Sequence, residues 1–362
     1  VRIGVPKETK EDEHRIAMTP AAADELTRRH HEVVIETGAG AGAGFVDADF
    51  EDVGATIDDR DAAWGCELVV KVKEPQPNEF AYLRDDQVLF AYLHLAAEPG
   101  VAEALRRAGT TAVAYETVQD EDGGLPLLAP MSEVAGRMAV QAGARHLEAP
   151  AGGRGVLLPG VPGVEPASVV VLGGGTVGMN AALIALGMRA HVAIIDIDLA
   201  RLRELEVILP GRVTLVHSTR LAIRDLLTRA DLVIGAVLLP GDLAPTLVTR
   251  GDLPRMRKGS VIVDVSVDQG GCIETSRPTT HSQPTFTVEG IVHYAVANMP
   301  GAVPVTATRA LVSATLPYVT AIADLGIDEA LDVLPALEPG VNVRAGRVVN
   351  PTVALALAAP AG

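Results

Sequence analysis

The chain has 362 residues, 48% hydrophobic and 21% charged, the balance of an ordinary globular enzyme but more than one hydrophobic core holds. A formal net charge of −16 excludes a nucleic-acid surface built from clustered Lys and Arg. The two cysteines, Cys66 and Cys272, provide neither a disulfide framework nor a metal-ligand spacing, which points to a reducing compartment.

The opening VRIGVPKETK carries no apolar signal core, so a cytoplasmic protein is expected. RIGVP, HEVVIE, ELVVKVK, QVLFAYLH and TTAVAYET then read as strands, alternating with the helical patterns AAADELTRRH and VAEALRRAG. Thr19 suits an N-cap, with Pro20 at the first helical position. Such alternation predicts a parallel sheet with flanking helices. A helix is expected to begin near Ser132, followed by a Gly/Pro-rich connection, APAGGRGVLLPGVPGVEP. The alternation then restarts through SVVVLG, HVAIID, VTLVHS, DLVIGAV, SVIVDVS and IVHYAVAN, which predicts a second, more regular doubly wound sheet. A long helical pattern follows Pro300, with no strand-rich unit expected after it. The tail is therefore expected to return to the first domain, making that domain discontinuous. The fold class is α/β: two doubly wound Rossmann-like domains separated by a cleft. Residues 1–128 and 304–362 form the catalytic domain, with a dinucleotide domain at 129–303 inserted in it.

Ser168 to Met188 runs 21 residues without a charge, long enough to span a membrane. Three consecutive glycines after a β-rich SVVVL favour strand, turn and helix instead, and no membrane association is expected. GGGTVG fits G-x-G-x-x-G with Gly173, Gly175 and Gly178, and Thr176 and Val177 between the glycines are cofactor-binding candidates with them. The first glycine permits the turn, the second the approach of a pyrophosphate, and the third close helix–strand packing. Asp196 ends the next strand, 18 positions past Gly178. Its carboxylate suits both ribose hydroxyls and would repel a 2′-phosphate, which predicts NAD rather than NADP. Asp198 reads as the cap of the following helix.

In open α/β sheets, ligands lie beyond the carboxyl ends of strands. Arg15, Lys73 and His94 fall at such ends in the first domain. Arg can grip a carboxylate with two prongs, Lys can stand by a carbonyl oxygen, and His can exchange a proton near neutral pH. Each has a blander alternative. An Arg in EDEHR is usually solvated, Lys71 or Lys73 could be a surface residue, and a His in an apolar run often sits satisfied in the core. Asp268, just past SVIVDVS, adds a carboxylate from the second domain, whereas Asp264 reads as structural.

IGVPKETKEDEHRIAMTP, KVKEP, LFAYLHLA, AYETV, PLLAPMSEVAGR, GGRGVLLPGVPGV, VDQGGC and VANMPGAVP together resemble the alanine dehydrogenases. That family groups with the soluble part of proton-pumping nicotinamide nucleotide transhydrogenases. The resemblance is dense to about Leu325. It implies substrate binding by Arg15 and Lys73, which favours Lys73 over Lys71, and a catalytic pair in His94 and Asp268. Cofactor contacts are implied at Ser132, Asp196, Ser218, Leu238, Arg277 and the turn Val296, Ala297, Asn298 and Met299. Val237 and the run Val265, Ser266 and Val267 are further candidates, as is Arg201, where the family commonly has a basic residue. Some relatives hold a metal near the end of the long helix; Ala321 and Leu325 stand there, so no metal is expected. The implied reaction converts L-alanine to pyruvate and ammonia in a homohexamer. The rival readings are a transhydrogenase subunit, a silent NAD sensor, and a dehydrogenase for glycine, glyoxylate or serine.

Overall fold

A computed structural model describes residues 1–237 and 244–358. Two compact units divide the chain: residues 1–131 with 303–362, and residues 132–302. In the first unit β1 (Arg2–Val5), β2 (Glu32–Glu36), β3 (Thr56–Asp58), β4 (Leu68–Val70), β5 (Val88–Ala91) and β6 (Thr111–Ala114) are parallel. Between them run α1 (Pro20–Arg28), α2 (Asp47–Glu51), α3 (Arg60–Trp64) and α4 (Pro99–Ala108). The Thr19 hydroxyl caps α1 by accepting the Ala22 N–H at 3.2 Å. The next helix, α5 (Ala129–His146), begins three residues ahead of Ser132, and the division between the units falls inside it.

The second unit is built from β7 (Ser168–Leu172), α6 (Thr176–Gly187), β8 (His191–Asp196), α7 (Leu199–Ile208), β9 (Thr214–His217), α8 (Arg220–Leu227), β10 (Leu232–Gly235), β11 (Val261–Asp264), β12 (Thr285–Val288) and β13 (Ile291–Tyr294). Its strand order is β12-β13-β11-β10-β7-β8-β9, parallel except for β12. Val169, Val171, Ile194 and Ile234 lie in the core on one face, and Val170, Leu172, Ile195 and Val233 in the core on the other. Strands buried on both faces explain the unbroken apolar runs. The uncharged stretch 168–188 is β7, the glycine turn and α6.

The tail returns to the first unit through α9 (Pro304–Val333), the hairpin β14 (Val341–Arg344) and β15 (Arg347–Val348), and α10 (Pro351–Ala358). Where no strand-rich unit was expected, the tail holds this one short hairpin. It extends the first sheet to eight strands, β15-β14-β6-β5-β4-β1-β2-β3, with β14 antiparallel to β6. Among the described residues, α9 is the one helix long and apolar enough to cross a membrane. Its Ala307, Leu311, Val319 and Ile322 belong to the core of the first unit. Gly326, at φ 78° and ψ 165°, breaks its helical geometry.

Candidate active site

The strand order of the second unit reverses at β7, which has β10 on one side and β8 on the other. The glycine turn leaves β7 at that switch point, where doubly wound sheets bind ligands. Gly173 is left-handed, at φ 98°. A Cβ on Gly178 would meet the Gly173 carbonyl oxygen at 1.9 Å, and one on Gly174 would meet Leu205 at 2.7 Å. Gly174, outside the three-glycine pattern, meets only the tip of a side chain that can move aside, unlike Gly178, which meets backbone. A Cβ on Gly175 would meet nothing within 4 Å. The chain itself makes no demand for glycine there, while a pyrophosphate approaching the start of α6 would. The turn therefore fits a dinucleotide. Gly178→Ala is expected to weaken dinucleotide binding about tenfold or more, because the backbone must shift to relieve the clash. Fluorescence titration checks this.

Asp196 ends β8, and its Oδ2 accepts the Gly174 N–H at 2.6 Å while Oδ1 accepts the Asp198 N–H at 2.8 Å. These bonds fix the carboxylate against the turn. Arg201 braces the same turn by donating from Nε to the Gly174 carbonyl at 2.8 Å, with Glu204 at 2.7 Å on Nη1. Asp198 caps α7. Ser218 follows β9 and donates its N–H to the Asp196 carbonyl. Val237 follows β10, and its carbonyl accepts the Ser266 hydroxyl at 2.7 Å. Val265, Ser266, Val267 and Asp268 share a short 3-10 turn after β11, which Asp264 caps at the Ser266 N–H. Asp268 is exposed, and its Oδ2 accepts the N–H of Asn298 at 3.3 Å. Asn298 is left-handed, at φ 56°, in the Val296–Met299 segment. Ser132 lies half-buried on α5, and the Arg277 guanidinium stacks 4.6 Å from the Phe286 ring. Leu238 lies outside the described residues.

The first sheet switches between β1 and β4. Glu8, beyond β1, crosses that point and accepts the Val72 N–H at 2.6 Å. Lys73 and His94 do not end strands: β4 stops at Val70 and β5 at Ala91, and both side chains stand on the segments that follow. Neither lysine of the KVK run is on the surface. Lys71 is fully buried between Glu8 at 3.1 Å and Glu79 at 3.2 Å, and Lys73 is half-buried.

Arg15 is buried at 2% exposure rather than solvated. Its Nε and Nη2 donate to Glu13 at 2.7 and 2.6 Å. The two-pronged edge expected to grip a ligand carboxylate is thus held by Glu13. Burial pushes the Glu13 carboxyl up, but the Arg15 hydrogen bonds and charge outweigh it and hold it at about 2. Burial lowers the Lys73 ammonium below its ordinary value, and the Arg15 and Lys10 charges lower it further.

His94 is left-handed, at φ 50°, a conformation that stores strain at functional positions. Glu116 holds it there by accepting the His94 N–H at 2.6 Å and the Leu93 N–H at 3.2 Å. Tyr92 stacks on the imidazole with centroids 6.0 Å apart. Burial lowers the imidazole below its ordinary value, opposed by the Glu116 charge and assisted by that of Lys73. Lys73 therefore stands within electrostatic reach of both Arg15 and His94, while Asp268 stands with Asn298 in the second unit. Glu13 and Glu116 were not legible as site residues, because an acid's role as a brace depends on its distant partner.

The two sheets and the glycine turn define a dinucleotide-binding protein of the doubly wound α/β class. Family profiles described as "Alanine dehydrogenase/PNT, N-terminal domain" and "Alanine dehydrogenase/PNT, C-terminal domain" match residues 4–135 and 139–351. The chain belongs to the alanine dehydrogenase/PNT family. It is 54% identical to an alanine dehydrogenase of Halomonas elongata, over 98% of this chain and 96% of that one. The alanine dehydrogenase of Bacillus subtilis is 52% identical over 97% of this chain and 93% of its own length. A solved L-alanine dehydrogenase superposes with a TM-score of 0.96 at 53% identity, covering 98% of this chain and 99% of the other. A transhydrogenase from Sinorhizobium meliloti shares the fold, with a TM-score of 0.82 at 24% identity, covering 97% and 99%.

Proposed function

We propose that this chain catalyses the NAD-dependent oxidative deamination of L-alanine, in which L-alanine, NAD⁺ and water give pyruvate, ammonium, NADH and a proton. The single observation that carries the reading is identity above 50% with curated alanine dehydrogenases over nearly the full chain. The activity is that of an oxidoreductase acting on a CH–NH₂ donor, and the reaction is reversible.

Bound NAD would accept the Cα hydride; the protein's part is placement and electrostatics. The glycine turn and Asp196 are the groups to hold it. Arg15, fixed by Glu13, supplies the cation facing the substrate carboxylate. Lys73 polarises the substrate oxygen, helped by neighbours that make its ammonium a ready hydrogen-bond donor. Alanine reacts as the free amine, its ammonium proton released to solvent; once the hydride has left, water adds to the iminium carbon and neutral His94 takes its proton. The same imidazolium protonates the nitrogen, ammonia departs as the carbonyl forms, and the hydroxyl proton passes to solvent. Asp268 offsets the positive charge that develops along this path and orients water or ammonia.

The purified protein is expected to consume NADH with pyruvate plus ammonium. Absence of that rate would refute the alanine reading. Asp196→Ala is expected to narrow the preference for NAD⁺ over NADP⁺ about tenfold or more, since the like charge facing a 2′-phosphate is gone. Steady-state kcat/KM with each cofactor measures this, and an unchanged ratio would remove Asp196 from the ribose site. The reading further places the enzyme in the cytoplasm as a homohexamer, supported by its family resemblance and checked by light scattering of the eluted protein.

A further inference from the structure

We propose that the amino edge of the second sheet carries a separate binding site for a small polyphosphate-type anion. A cavity of about 410 Å³ opens there, lined by Ser168 at the start of β7, His191 at the start of β8, Arg212 and Thr214 at the start of β9, and Leu226 and Arg229 around the end of α8. Its floor is the apolar beginning of β7 and β8.

Three observations point to an anion. Among the described residues none that lines the cavity is acidic, although Asp and Glu outnumber Lys and Arg by 46 to 30 in the chain. Arg212, Arg229, His191, Ser168 and Thr214 make no side-chain hydrogen bond or ion pair to a described residue. Other cations on this edge are treated differently. Asp231, next to the cavity, accepts from Arg154 at 2.5 Å, from Arg257 at 3.3 Å and from the Ser168 N–H at 2.9 Å. The acid that could have neutralised the cavity is thus consumed by arginines outside it.

Guanidinium forks match phosphate oxygens with paired, charge-assisted hydrogen bonds, and the two hydroxyls add donors. The carboxyl end of α8 borders the cavity and disfavours an anion by its partial negative charge. Two full positive charges outweigh that end, and the match is best for a ligand with several charges of its own. The site is distinct from the glycine turn. β7 enters the cavity at Ser168 and reaches the turn after Leu172, and at about 3.3 Å per residue this separates the two by roughly 15 Å. Adjacent phosphates occur both in inorganic chains and in nucleotides, and the experiment separates these sources.

The full-length protein, saturated with NAD so that the glycine turn is blocked, would be titrated calorimetrically with inorganic tripolyphosphate and, separately, with ADP. One binding event per chain is expected for tripolyphosphate. An ADP signal of similar strength would assign the site to nucleotides, and its absence to the inorganic chain. Arg212→Ser with Arg229→Ser should weaken binding about tenfold per arginine, the equivalent of a charged hydrogen bond. NAD affinity and turnover should not change. Arg203→Ser with Arg220→Ser, which lowers the charge of the same unit equally without touching the cavity, should leave binding intact. No heat at millimolar probe, or equal weakening in both double variants, would overturn the proposal.

Discussion

His94→Ala is expected to lower kcat for alanine oxidation about 10²- to 10⁴-fold, the usual contribution of a positioned acid–base group, with NAD binding unchanged. The warrant is local geometry. A left-handed histidine is held by two backbone hydrogen bonds to Glu116 and by stacking on Tyr92. That restraint positions the imidazole without engaging its ring nitrogens. Steady-state rates and a fluorescence titration with NADH separate the two readouts, and full turnover in the variant would end the assignment. The sign of the pH dependence follows from burial. The imidazole lies below its ordinary value of 6.5, so its neutral form dominates at pH 7. Deamination needs the neutral base. Its rate should therefore fall as pH drops through a value below 6.5, and this limb should vanish in His94→Ala. A His94 limb above 6.5 would contradict the electrostatic picture.

The glycine turn was readable because its demands are local: strand, three spaced glycines, helix and an acid at the next strand's end all fall between Ser168 and Asp196. Asp198 and Thr19 were readable as caps for the same reason. The strands β3, β12, β14 and β15 were not, since Thr, Asp, Asn and Arg interrupt their few apolar residues and leave no unbroken apolar run. In the first unit the acids were missed most. Glu8 and Glu13 lie in a charged, solvent-looking opening segment, yet Glu8 reaches 64 residues along the chain to Val72. Only the β1–β4 neighbourhood makes them interior groups. The Lys71 and Lys73 ambiguity has the same origin, because only their partners tell the two lysines apart.

Those partners predict opposite outcomes for one substitution at two positions. Lys71→Met is expected to destabilise the protein by about 3–5 kcal/mol, the cost of breaking a buried ion pair by removing one side. Its ammonium lies between Glu8 and Glu79, 5.6 Å from the centre of the Trp64 ring, and none of its side chain is exposed. The substitution leaves two buried carboxylates facing each other. Burial already pushes the Glu8 carboxyl up, so a proton on Glu8 relieves the repulsion, and the penalty shrinks as the medium turns acidic. Lys73→Met should behave differently. Burial and the charges of Arg15 and Lys10 already disfavour the Lys73 ammonium, so a neutral side chain of similar length relieves repulsion and leaves stability near that of the parent. Turnover should instead fall about 10²-fold or more, because the donor facing the substrate oxygen is gone. Urea unfolding and steady-state kinetics on both variants give the answer. A folded, inactive Lys71→Met beside an unstable, active Lys73→Met would exchange the two roles and move the substrate oxygen to the other lysine.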